Sequence, residues 1–311
     1  MKRISIIAAL FAVPLFIFAQ KQFDSAQQQF SFARHQQQFK KQLPAGNYSG
    51  ICAIGHNQYA LVDDKAATDG FRIVRIEMDS IRQRITSVED LGYQSSELPN
   101  RDMEGICFRA STQTVFISGE ADNEVYEYTL NGQRTGRKLE MPAYIKQTQH
   151  NAGLESLTYD ERKGLFFTAT ERPLAGDSLV RVLAFGNDLK LKHTYLYKPD
   201  EPISRKYFYG ISEICALSDG RLLVMERQIR VPRLKIGAST VTRLYEVTPN
   251  TDERLTKKLV TEFRTRLSVT SRKFANFEGL CQVAPHCLLL LADSQNQYKG
   301  VLRDWFMCLP F

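Results

Sequence analysis

Five short segments of one pattern recur along this chain: Tyr48-Ser49-Gly50-Ile51-Cys52, Met103-Glu104-Gly105-Ile106-Cys107, Leu154-Glu155-Ser156-Leu157-Thr158, Ile211-Ser212-Glu213-Ile214-Cys215 and Phe277-Glu278-Gly279-Leu280-Cys281. The fourth residue is always Ile or Leu, and the fifth is Cys four times and Thr once. Such repetition outranks any local reading, because it sets the architecture of the whole chain. After each segment come a turn and a second apolar run ending in an acid: Tyr59 to Asp63, Phe116 to Glu120, Phe167 to Glu171, Leu222 to Glu226 and Leu289 to Asp293. Each acid lies 14 to 16 residues beyond the segment's second position, the span of two strands and a tight turn.

A third run alternates apolar and polar residues in the strand manner, at Phe71–Ile76, Val125–Leu130, Leu179–Phe185, Thr242–Val247 and Val301–Leu309. A fourth, more polar run follows in four cases, at Ile85–Leu91, Arg137–Met141, Lys192–Tyr197 and Lys257–Phe263. The last repeat runs out of chain, and Phe39–Pro44 upstream of the first resembles the fourth runs, so it is expected to close the ring. Four antiparallel strands per repeat define an all-β fold, a single β-propeller, in which a blade buries its faces only against neighbouring blades. The motif count predicts five blades, with six as the alternative because 198–209 and 264–275 are long.

The first residues read as an exported leader: Lys2 and Arg3, an apolar run from Ile4 to Ala19, and no acid. That run is short for a membrane span and contains Pro14. The expected organisation is a signal peptide over 1–19, a polar Gln-rich lead-in over 20–44 and the propeller over 45–311, in a secreted or periplasmic protein with no membrane span. Of the net charge of +7, Lys2 and Arg3 supply two, and the other cations are interleaved with acids along the 311 residues. That distribution argues against nucleic acid as a partner; the oligomeric state is left open. Cys52, Cys107, Cys215 and Cys281 hold one position on different blades and should be small buried residues, whereas Cys287 and Cys308 nearly oppose one another and are expected to form a disulfide.

Because the first two strands of a blade are antiparallel, the start of one and the end of the other lie on the same face. Glu104, Glu155 and Glu278 from first strands, and Asp63, Glu120, Glu171, Glu226 and Asp293 from second strands, should therefore ring one mouth of the channel. Glu213 is one position out of register. Unpaired carboxylates would repel each other and raise their own pKa values, which a hard divalent cation relieves; oxygen ligands of adjustable reach suit calcium. Of these acids Glu104, Glu155, Glu278, Asp63, Glu120 and Asp293 are the metal-ligand candidates. The alternative is that the acids cap strand ends or pair with nearby cations such as Arg172 and Arg227.

The ordered motifs SGI with ALVDD, DMEGI with SGEADN, GLESL with TATERPL, GISEICALSDGRLLVMERQ, and NFEGL with LLLADSQNQ resemble the secreted phytase-like family described as having esterase-like activity of phytase. The resemblance runs over about residues 45–309 and implies a β-propeller that hydrolyses an ester or phosphoester. The positions matching its EG, DD, ER and D-x-x-N signatures are Glu104, Glu155, Glu278, Asp63, Asp64, Glu171, Arg172, Glu226, Arg227, Asp293 and Asn296; Ser49 and Ser212 stand where two first-strand acids would be. On this footing Glu155, Glu171, Arg172, Glu226 and Arg227 are the catalytic candidates, with Arg172, Arg227 and Asn296 holding substrate through planar or amide groups. A bound ion would acidify a water whose proton a carboxylate takes. No Gly-x-Ser-x-Gly elbow occurs, and of the five histidines His150 alone is expected near the acids, as a general-acid candidate.

The expected function is thus that of a secreted, calcium-dependent phytase-like hydrolase acting on a small-molecule or carbohydrate ester. The competing expectation is a non-catalytic propeller that binds a carbohydrate, peptide or envelope partner with the same face, and a lactonase-like reaction is a third.

Overall fold

The computed structural model describes residues 32–311 apart from 80, 150 and 234. The expected signal peptide and His150 lie outside the described residues. Five four-stranded antiparallel sheets form a ring. The first blade contains β2 (Tyr48–Gly55), β3 (Gln58–Asp63), β4 (Thr68–Asp79) and β5 (Arg84–Pro99). The second contains β6 (Met103–Arg109), β7 (Thr114–Gly119), β8 (Glu124–Thr129) and β9 (Arg134–Lys138). The third is built from β10 (Leu154–Asp160), β11 (Leu165–Thr170), β12 (Val180–Gly186) and β13 (Leu191–Tyr197), and the fourth from β14 (Phe208–Ala216), β15 (Leu222–Arg230), β16 (Ser239–Val247) and β17 (Lys257–Arg266). The fifth has β18 (Asn276–Ala284), β19 (Cys287–Asp293) and β20 (Phe306–Pro310), completed by β1 (Gln36–Gln37). The innermost strands β2, β6, β10, β14 and β18 contact each other in turn, and β18 returns to β2.

Five blades are therefore present, and the six-bladed alternative falls. The ring closes a few residues earlier than the Phe39–Pro44 expectation: Gln36 and Gln37 pair with Met307 and Phe306, while residues 40–43 form a turn. The last third strand is likewise shorter than Val301–Leu309, because Tyr298–Val301 makes one helical turn before Phe306. Cys287 and Cys308 are free thiols. Cys287 is opposite Pro310 and Cys308 opposite Leu289, so the two lie diagonally across the ladder, and their thiols meet as hydrogen-bond partners without an S–S bond.

The apolar residues of each blade pack against those of the next, as when Phe116 of the second meets Phe166 of the third with ring centroids 4.5 Å apart. The repeat's third position is small because inner strands nearly touch: a Cβ on Gly105 would lie 2.5 Å from the Leu157 backbone nitrogen. Glu213 occupies that position in the fourth blade, and its Oε1 accepts from Leu157 N at 3.1 Å and Ile214 N at 2.9 Å, in the wall between blades three and four.

Candidate functional site

Each first strand carries a β-bulge where the repeat has its second residue: between Tyr48 and Gly50, Met103 and Ile106, Leu154 and Ser156, Ile211 and Glu213, and Phe277 and Gly279. A bulge leaves one residue out of the ladder and re-aims its side chain. Ser49, Glu104, Glu155, Ser212 and Glu278 are so placed at the axial mouth. The ladders also fix which second-strand residue reaches the same mouth. Just before each bulge a residue pairs across to it: Asn47 with Asp64, Asp102 with Glu120, Gly153 with Glu171, Gly210 with Arg227, and Asn276 with Asp293.

Two expectations are thereby corrected by a single residue. Asp64, not Asp63, is the mouth residue of the first blade; Asp63 sits opposite Tyr48 and caps the following turn, its Oδ1 accepting from Lys65 N at 3.0 Å. In the fourth blade Arg227 takes the mouth position. Glu226 turns outward to the seam between blades three and four, where it accepts from Tyr197 OH at 2.5 Å, Lys257 Nζ at 2.5 Å and Asp200 N at 2.9 Å.

The remaining acids converge. Glu104, Glu155 and Glu171 are each no more than 8% exposed. Burial, then repulsion from Glu155, Glu278, Asp64 and Glu120, holds the Glu104 carboxyl well above the ordinary carboxylate range. Burial and Glu171 do the same to Glu155, against the pull of Arg227. Glu278 is pushed up to about 7, chiefly by burial, and Asp64 to about 6 for the same reason. Asp293 is also raised by burial and Glu278, and Glu120 by burial, although its Oε1 accepts from Gly153 N at 2.9 Å.

Two cations divide this ring. Arg227, 8% exposed, donates through Nη2 to Glu171 Oε1 at 2.8 Å with Glu155 Oε1 at 3.6 Å, and through Nη1 to Asn276 Oδ1 at 3.0 Å and to Glu278. Its fork is filled by protein groups, which makes it the counter-ion of this half. On the other half Lys65, largely exposed, bridges Asp64 Oδ2 at 3.0 Å and Asp102. There Asp64, Asp102 and Glu104 each offer an oxygen within 4.8 Å of the others, and Asp64 Oδ1 is buried without a hydrogen-bond partner. Asp102 escaped sequence reasoning because it precedes its strand. Its signal was position, one residue ahead of Met103, where Asn276 stands ahead of Phe277.

Arg172 sits at the rim. Its Nε donates to Tyr209 O at 3.1 Å, and its guanidinium lies 5.2 Å from the ring centre of Phe208. Asn296 is exposed in the turn after β19, its backbone N–H on Gly46 O at 3.2 Å. At the opposite end of the channel Cys52, Cys107, Cys215 and Cys281 line a cavity of about 430 Å³ with Thr158 in the fifth place, and burial raises all four thiols.

Fold and mouth together define a five-bladed propeller with an acidic axial opening. The chain belongs to the phytase-like family described as having esterase-like activity of phytase, whose model matches residues 43–294. No curated protein sequence matches it. Among solved structures it is similar to a luciferin-regenerating enzyme (10% identity, 88% of this chain and 94% of that one, TM-score 0.47) and a streptogramin B lyase (10%, 89% and 97%, 0.42). A nidogen/laminin complex is similar at 10% identity over 81% of this chain and 78% of that one, with a TM-score of 0.43. Among the described residues no helix is long and apolar enough to cross a membrane.

Proposed function

We propose that the acidic mouth is a cation-assisted hydrolytic site for an ester or phosphoester, in a protein that residues 1–19 direct out of the cytoplasm. The observation that carries this reading is the Asp64, Asp102 and Glu104 trio, in which Asp64 Oδ1 is buried without a hydrogen-bond partner and an exposed lysine is the cation beside it. Three carboxylates without nitrogen or sulfur ligands fit a hard ion such as calcium, which Lys65 can yield to by swinging into solvent. When bound, the ion would supply positive charge to a substrate oxygen and acidify a water.

The chain's own residues do the rest. Glu278, held through one oxygen by Arg227 and Asn276 and raised to about 7, has the proton affinity of a general base or acid near neutral pH. Glu155 and Glu171 anchor Arg227 beneath the opening, and Arg172 at the rim presents a guanidinium to an incoming anionic group.

The test is release of nitrophenol from 4-nitrophenyl acyl esters, or of phosphate from 4-nitrophenyl phosphate, with and without chelator. Turnover that calcium restores after chelation, and that falls at least a hundredfold in Asp64→Asn and in Glu278→Gln, supports the proposal. Tight calcium binding with no turnover on either substrate class favours the non-catalytic binding module instead.

A further inference from the structure

Beside the acidic mouth, on the same face, lies a second feature of opposite character. The loop after β15, the segment before β18 and the helical turn after β19 enclose an apolar slot lined by Ala238, Leu267, Phe274, Val301 and Leu302. Asn276 and Asp293 form its inner wall, and Asn276 Nδ2 also donates to Glu278 Oε1 at 2.8 Å while its Oδ1 accepts from Arg227. The slot and the mouth therefore share a wall. Its floor is fixed, since Trp305 Nε1 donates to Phe274 O at 3.0 Å. At its outer edge Lys235 Nζ lies 5.0 Å from the Tyr298 ring centre. The space is narrow, about 20 Å³, room for about one water or the terminal methyl of a short chain.

A crevice whose walls are aliphatic and aromatic, a few bonds from a polar reactive centre, takes the non-reacting part of a substrate.

We propose that the slot is the subsite for a short apolar arm, so that the mouth acts on esters of small acyl or alkyl groups. The proposal rests on the hydrolytic reading of the mouth. Asn276, reaching the slot on one side and Glu278 on the other, sets the arm's distance from the acids.

Two measurements separate the slot from the chemistry. The first is binding of butyramide, a neutral short-chain acyl compound, followed by saturation-transfer NMR on the full protein. The second is kcat/KM over 4-nitrophenyl acetate, butyrate and octanoate. Wild type should show saturation transfer to the butyramide methyl and methylenes, and should favour butyrate over octanoate at least tenfold. Ala238→Leu, which fills the slot, should abolish the transfer and lower the butyrate value tenfold. Leu267→Ala, which lengthens it, should move the optimum toward octanoate. Melting curves identify any variant that fails to fold, and the other variant then decides. If butyramide binds and Ala238→Leu abolishes it while no ester turns over, the slot stands and the hydrolytic reading fails. Ester turnover with no butyramide binding, or with a chain-length ranking unchanged in the folded variants, overturns the slot.

Discussion

Arg227 of the fourth blade reaches into the third to donate to Glu171 at 2.8 Å, and one guanidinium thereby offsets three carboxylates, two from the third blade and one from the fifth. The pairing is buried, so its value lies less in net stabilisation than in what its loss exposes. Removing one partner of a buried ion cluster leaves uncompensated charge at a cost of about 3–5 kcal/mol. Arg227→Met should therefore lower unfolding stability by about that amount at pH 7.5, measured by urea denaturation, and most of the loss should disappear at pH 5, where Glu278, raised to about 7, keeps its proton. A variant equally destabilised at both pH values would show that Arg227 contributes packing alone.

Stability of the calcium-free protein should fall as pH rises from about 4.5 to 7. Glu278 binds its proton more tightly when folded, at about 7, than its ordinary value of 4.5 allows when unfolded. Between those values the folded state holds more protons than the unfolded one, so raising pH favours unfolding. Glu278 alone accounts for up to about 3 kcal/mol, and Asp64, raised to about 6, adds in the same direction. Melting temperature followed across this range checks the sign, and saturating calcium should flatten the slope.

Calcium affinity should depend on the Lys65 half of the mouth. Asp64→Asn and Asp102→Asn should each weaken binding at least tenfold in calorimetric titration. Glu226→Gln, whose side chain sits at the seam with Tyr197 and Lys257, should leave calcium affinity unchanged. Equal loss in all three would mean that the ion, if it binds, lies elsewhere.

The seam between the first two blades has its own buried acid. Asp69 accepts from Arg134 Nη2 at 2.6 Å and Tyr128 OH at 2.7 Å, with Arg101 Nε at 3.6 Å. Asp69→Ala leaves the Arg134 guanidinium without its carboxylate, while Arg101 keeps Asp122 at 2.8 Å, and should cost about 3–5 kcal/mol in denaturant unfolding, without changing calcium affinity.

The repeat was legible because it is a physical necessity: an apolar fourth residue and a small third one are what an inner strand needs to pack between its neighbours. Leu157 and Gly105 show both halves of that requirement. The mouth was legible only to within one residue. In the first and fourth blades the acid that ends the run, Asp63 or Glu226, is followed by a second charged residue, and residue type pointed to the wrong one of each pair. Spacing held the answer. Asp64 and Arg227 lie 15 residues beyond Ser49 and Ser212, as Asp293 lies beyond Glu278. The bulges that make this spacing meaningful are features of backbone pairing and leave no mark on composition. The clasp was misplaced for a related reason: two residues suffice to complete a blade edge, and Gln36-Gln37 carries no periodicity to read.

The pairing of Gln36–Gln37 with Phe306 and Met307 means that the beginning and the end of the fold are stitched into one sheet. Synthesis delivers Glu155 and Glu171 before the Arg227 guanidinium that joins them, and the strand that Gln36–Gln37 fastens to comes later still. The fifth sheet can therefore gain its outer edge only after β20 has been made, so the clasp forms late even though one half of it is among the earliest segments of the fold.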